Sequence, residues 1–131
     1  MIGLDTNVLV RYLVEDDEEQ AARAAAFIEG ISDRGEKLYV PHVVLCELVW
    51  VLASAYGRSR RDLAEALKAI VQTAQLVVED VDVAHRALAR FEAGAADFAD
   101  YIVAERSAEA GCEWVATFDK KLLTEDGFVK P

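Results

Sequence analysis

Five carboxylates stand where apolar stretches ordinarily carry none. Asp5 closes the opening run Met1-Ile2-Gly3-Leu4 and leads into Thr6-Asn7. Glu47 is the only charged residue between Val43 and Tyr56. Asp97 and Asp100 lie three apart on one helical face, and Asp119 follows Trp114-Val115-Ala116-Thr117-Phe118. An ionised carboxylate in apolar surroundings is strongly disfavoured unless it is paired or bound to a metal. Converging carboxylates match a hard divalent cation held through oxygen and water, Mg²⁺ or Mn²⁺. The chemistry such a set supports is metal-assisted hydrolysis.

Each acid also has a plainer role. Asp5 precedes a helix and can cap it, a contact worth ~1 kcal/mol. Glu47 can sit in a buried ion pair or at a snorkelling rim. Asp97 and Asp100 fit the two ends of a capping box. A cap does not require both to be Asp, however, and like charges at ~4 Å cost ~4 kcal/mol at an effective dielectric near 20 unless a cation lies beside them. Asp119 can cap the segment from Lys120 while pairing with a lysine. Thr6, Asn7 and Thr117 add hydroxyl and amide groups beside the acids.

The elements that must position these residues read as short strands alternating with helices. Strands are expected at Met1 to Leu4, Leu38 to Val40, Leu76 to Val78 and Trp114 to Phe118, with a short edge strand at Phe128 and Val129. Helices are expected from Asn7, from Asp16 to Ile31, from Val43 to Tyr56, from Ser59 to Thr73, from Val81 to Ala93 and from Asp97 to Ala110. Lys120 to Leu123 suggests one more short turn. Leu45, Leu48, Val49 and Leu52 make a buried helical face, and Gly57, Gly94 and Gly111 are stops. The alternation implies βαβ units and an α/β fold with a parallel sheet covered on both faces. Sites in such sheets form beyond the carboxyl ends of strands, near a reversal of strand order. Asp5 and Asp119 fall at such ends, and Glu47 and Asp100 lie in helices leaving them.

The chain has 131 residues, enough for one domain over residues 1–131 with a full core. Its 53% hydrophobic and 29% charged residues are an ordinary globular composition. No stretch approaches the ~20 apolar residues needed to span a bilayer, and no basic leader precedes the first apolar run, so a cytoplasmic protein is expected. Cys46 and Cys112 are far apart among apolar neighbours and read as buried reduced thiols. His42 and His85 are isolated and read as satisfied surface or cap histidines. The net charge of -10 opposes non-specific nucleic-acid binding, although Arg58, Arg60, Arg61 and Lys120, Lys121 form local basic spots. An acidic surface also suits a basic protein partner. Tyr12 and Trp50 could serve a partner, with core packing the simpler explanation.

The segments Leu4-Asp5-Thr6-Asn7-Val8-Leu9, Pro41 to Leu52 with Glu47 inside, Asp97-Phe98-Ala99-Asp100 and Thr117-Phe118-Asp119, in that order, resemble a PIN domain. Within that family they are most similar to the VapC-like toxins of bacterial toxin-antitoxin pairs. The resemblance covers Met1 to about Val129. It implies a PIN-like three-layer α/β/α sandwich around a short parallel sheet of four to five strands, and a metal-dependent endoribonuclease, usually dimeric and silenced by a cognate antitoxin. On that pattern Asp5, Glu47 and Asp100 match the core acidic triad, Asp119 the fourth acid and Asp97 an extra one. Asp5, Asp97, Asp100 and Asp119 would be the metal ligands for Mg²⁺ or Mn²⁺, and Thr6 and Thr117 match hydroxyl positions nearby. Glu47 would coordinate through water or orient the nucleophile. The expected partners are RNA, a basic antitoxin and a second copy of the chain.

Two other readings use the same acids. An Asp after a first strand also serves haloacid-dehalogenase-like phosphatases, which form an aspartyl-phosphate. Their second Asp would fall at Asn7, and no well-placed lysine supports the scheme. A non-catalytic domain that binds a cation and a protein is the other.

Overall fold

A computed structural model describes residues Met1–Pro131, which gather into two compact units, Met1–Val81 and Asp82–Pro131. The first unit contains β1 (Ile2–Gly3), α1 (Thr6–Leu13), α2 (Glu18–Gly30), a 3-10 turn (Ile31–Arg34), β2 (Leu38–Val40), α3 (His42–Ser54), α4 (Arg60–Gln72) and β3 (Leu76–Val78). The second contains α5 (Val81–Ala93, beginning at the boundary), α6 (Phe98–Glu109), β4 (Val115–Ala116), a 3-10 turn (Leu122–Thr124) and β5 (Phe128–Val129). The predicted α/β class with parallel strands is thus observed. No helix is long and apolar enough to cross a membrane.

In the first unit the strands pair in parallel in the order β1-β2-β3, with Ile2 opposite Leu38 and Leu38 opposite Leu76. Each parallel step is bridged by a pair of helices, long enough to carry the chain back to the same end of the sheet. Leu38, Val40, Leu45, Leu48 and Ile28 are completely buried, each contributing ~1.5–3 kcal/mol of hydrophobic stabilisation. The three strands follow chain order, so the reversal expected beside the site does not occur among them.

In the second unit β4 and β5 pair in parallel, Val115 with Phe128 and Ala116 with Val129. The five strands, all paired in parallel, thus form a three-stranded ladder in the first unit and a two-stranded ladder in the second. Phe91 and Phe98 meet edge to face with centroids 5.9 Å apart, and Tyr101 of the same unit is fully buried. The strand predicted from Trp114 to Phe118 shrinks to two residues. Thr117 still donates its N–H to the Val129 carbonyl, but from there the Thr117 hydroxyl and the Asp119 carboxylate take the next amides and turn the chain.

Helix ends follow the stop and start signals in the sequence. Asp17 caps α2 by accepting from the Gln20 N–H at 3.0 Å, and Ser59 caps α4 through the Asp62 N–H at 3.2 Å. Gly111 lies in the left-handed region at φ 94° just past α6, where a side chain would be strained. Helix α3 opens after Pro41, which has no capping side chain. Glu79, at the end of β3, supplies the cap from a distance by accepting the His42 N–H at 2.8 Å.

Candidate active site

Asp5 ends β1 and starts α1. Its carboxylate accepts the Thr6 N–H at 2.8 Å, so the capping role is real, yet Asp5 is solvent-exposed with ligand capacity to spare. Thr6 is buried at 6% exposure, and its hydroxyl donates to Glu47 Oε2 at 3.3 Å. That bond fastens the head of α1 to the second turn of α3. Asp5, Thr6 and Glu47 are thereby brought to one place in the first unit, at the carboxyl end of β1.

Glu47 is exposed, which corrects the expectation of a charge sunk in an apolar helix. The residues at 44, 45, 48 and 49 are buried, while Val43, Glu47 and Trp50 share the outward side of α3, with Val43 62% and Trp50 70% exposed. Core packing therefore does not account for Trp50. Asn7 faces solvent in the first turn of α1 and lines an open cleft of about 800 Å³ with Val8, Arg11, Gln20, Arg23 and Phe27. Arg11 is already engaged there, bonding Asp16 at 3.0 Å, and Asp16 also accepts the Tyr56 hydroxyl at 2.9 Å.

In the second unit Asp97 precedes α6 and Asp100 stands in its first turn. Asp97 donates its N–H to Asp100 Oδ2 at 3.1 Å, as in a capping box. Asp100 is half-buried, and burial raises its carboxyl above the usual aspartate range. The charges of Asp97 and Asp119 push the same way, while the Asp97 amide and the Lys121 ammonium oppose them. These three acids therefore feel one another. Asp119 is fixed by two bonds: its N–H donates to the Thr117 hydroxyl at 3.0 Å and its Oδ1 accepts the Lys121 N–H at 2.9 Å.

The acids thus form two groups, one in each unit, and no three acid, histidine or cysteine side chains stand together so as to hold a metal ion between them. A cage is not what Mg²⁺ requires, since it keeps several waters and is commonly bound through one or two carboxylates. The donors here are all oxygen and open to water, or nearly so, which suits a hydrated hard cation. Sulfur and imidazole do not compete for it. Burial pushes the Cys46 thiol up to about 11, so it stays protonated near neutrality.

Several expectations change at this level. Cys112 is exposed rather than buried, because it lies beyond the end of α6 in the turn at Gly111. His42 is buried rather than at the surface, 3% exposed, with its Nε2 3.2 Å from the Asp80 carbonyl. It is satisfied all the same. His85 is exposed as expected. Arg58 lines a small cleft of about 240 Å³ together with Asp62 and Glu65, which makes poor company for a phosphate. Sequence reasoning missed two acids that hold the site's elements, Glu79 at the head of α3 and Glu125, which accepts the Tyr101 hydroxyl at 2.7 Å. Both act over long sequence separations, and no local signal announces them.

The description PIN domain belongs to the family model that matches residues 2–125, a span running through both units. Among curated proteins, the VapC ribonuclease of Aquifex aeolicus (strain VF5) is 30% identical over 118 residues, covering 90% of this chain and 87% of that protein.

Proposed function

The chain belongs to the PIN-domain family, and on that footing we propose that it is a Mg²⁺- or Mn²⁺-dependent endoribonuclease, the toxin of a VapC-type toxin-antitoxin pair acting in the cytoplasm. The observation that carries the proposal is the fastening of its acids. Asp5 and Glu47 are tied through Thr6, and Asp100 sits under the charge of Asp97 and Asp119.

Asp5, Asp100 and Asp119, with Asp97, are the proposed ligands, and the cation when bound supplies positive charge to the phosphodiester as negative charge builds during displacement. The residues do the rest. Glu47, held by the Thr6 hydroxyl, orients the attacking water and takes its proton. Thr6 fixes the Glu47 carboxylate so that one oxygen stays free for that task. The Asp97 amide bonds Oδ2 of Asp100, so that bond does not occupy Oδ1. Thr117 plays the matching part for Asp119 by holding its backbone.

Asn7 in place of a second aspartate, together with the family match over residues 2–125, leaves the aspartyl-phosphate scheme without support. A homodimer is the proposed assembly, supported by the apolar side chains of Val43 and Trp50 standing in solvent on α3.

The test is cleavage of RNA by purified protein with Mg²⁺, with end-group analysis of the products. A water nucleophile predicts 5′-phosphate and 3′-hydroxyl ends, and Asp5→Asn or Asp100→Asn should lower the rate at least ~100-fold. Both variants should also make co-expression of the neighbouring reading frame unnecessary for growth. Cyclic 2′,3′-phosphate ends, or full activity in the Asp5→Asn protein, would sink the proposal.

A further inference from the structure

Phe118 is the most exposed large apolar side chain of the protein, at 80%. A single wet aromatic is unremarkable by itself, but this one adjoins Asp119 in the chain and is followed by the exposed Lys120 and Lys121. Its backbone is also fixed on both sides. Thr117 donates its N–H to the Val129 carbonyl at 3.0 Å, Asp119 donates to the Thr117 hydroxyl at 3.0 Å, and Lys121 donates to Asp119 Oδ1 at 2.9 Å. The ring is thus held out on a fixed stem, and ordering it against a ligand costs only the freedom of two side-chain torsions.

We propose that Phe118 is a stacking platform for an unpaired nucleobase of the RNA substrate, with Lys120 and Lys121 meeting the adjoining phosphates. This rests on the ribonuclease reading above. The charges argue for a polyanion at this spot, since two consecutive cations beside an acid are set against a chain whose net charge is -10. The ring argues for a base, because every base offers a π-face and an exposed aromatic beside a cationic groove is how single strands are gripped without sequence preference. A paired base is already stacked within its helix, so the platform selects single-stranded or looped RNA. The base so held would lie next to Asp119, coupling grip on the strand to the acidic group.

The experiment measures binding of a fluorescein-labelled single-stranded RNA of randomised sequence in an Asp5→Asn background, and KM and kcat in the parent protein. Phe118→Ala and Phe118→Leu should weaken binding about 5- to 100-fold, the span of one stacked base. Phe118→Trp should bind as well as the parent. KM should rise with kcat nearly unchanged, and thermal stability should stay put because the ring is exposed. The same RNA annealed to its complement should show no dependence on Phe118. Equal binding by Phe118→Ala and the parent overturns the proposal. So does a dimer-to-monomer change in sedimentation on substitution, which would assign the ring to self-association. If the parent cleaves RNA and Phe118→Ala matches it, stacking alone falls; if the parent neither binds nor cleaves RNA, the ribonuclease reading falls with it.

Discussion

Asp100 shows in one residue how burial and neighbouring like charges oppose ionisation. Burial is the largest cause of its raised pKa, followed on the same side by Asp97 and Asp119. The folded protein therefore holds this proton more tightly than the unfolded chain does. The contribution of Asp100 to the stability of the metal-free protein is therefore most favourable below the ordinary aspartate pKa and is lost as pH rises through the raised folded value. Asp100→Asn removes that loss while its side-chain oxygen can still accept the Asp97 N–H. In EDTA at pH 7 the variant should melt on the order of 1–3 °C above the parent, with the difference vanishing near pH 3. Mg²⁺ should then stabilise the parent and leave the variant unmoved. Equal melting in EDTA at both pH values would show that the acids do not strain the site. Asp5 and Asp119 stood out in the sequence as carboxylates following apolar strand-like runs, and Asp97 and Asp100 as a pair at a helix start, which is where the structure places them. Glu47 was found by an argument that does not hold, since an apolar helix can turn one side to water and Glu47 lies there with Val43 and Trp50.

At the scale of elements, the start of α6 is set by a clamp that no local pattern announces. The buried Tyr101 hydroxyl donates to Glu125 Oε1 at 2.7 Å and accepts the Ala96 N–H at 3.2 Å, just before Asp97. Arg90 lies over the same ring, 5.1 Å from its centroid, and donates to the Asp126 carbonyl at 2.7 Å. The turn between α5 and α6 passes so close that a Cβ on Gly94 would run into the Tyr101 hydroxyl and stand 2.9 Å from Glu125 Oε1. Gly94 is thus required by space, a stronger reason than the helix stop read from the sequence. Gly94→Ala should cost ~1–3 kcal/mol by overpacking, and Tyr101→Phe ~0.5–1.5 kcal/mol by removing the hydroxyl that joins Glu125 to the Ala96 N–H. The two should not add, since Tyr101→Phe removes the atom that the new methyl strikes. Urea melts of the four proteins in the cycle measure this, and simple additivity would refute the clamp. Helix extents were legible because caps and glycines are local; Tyr101 and Glu125 are 24 residues apart and were not.

For the whole molecule the dominant quantity is charge. At -10 over 131 residues the surface repels nucleic acid on average, so on the proposed reading RNA would be met at local basic spots such as Lys120 and Lys121. The same surface attracts a basic protein from a distance, which on the proposed reading would be a cognate antitoxin. Steering of this kind acts on the encounter and is screened over a Debye length of about 8–10 Å near physiological salt. The association rate with the product of the neighbouring reading frame should therefore fall about tenfold or more between low and high salt, on the order of 50 and 500 mM NaCl. The dissociation rate should change much less, because short-range packing governs it. Stopped-flow mixing at several salt concentrations separates the two. An association rate indifferent to salt would mean that the acidic surface plays no part in finding the partner, and its charge would then need another explanation, such as keeping an exposed Trp50 and Phe118 from driving aggregation.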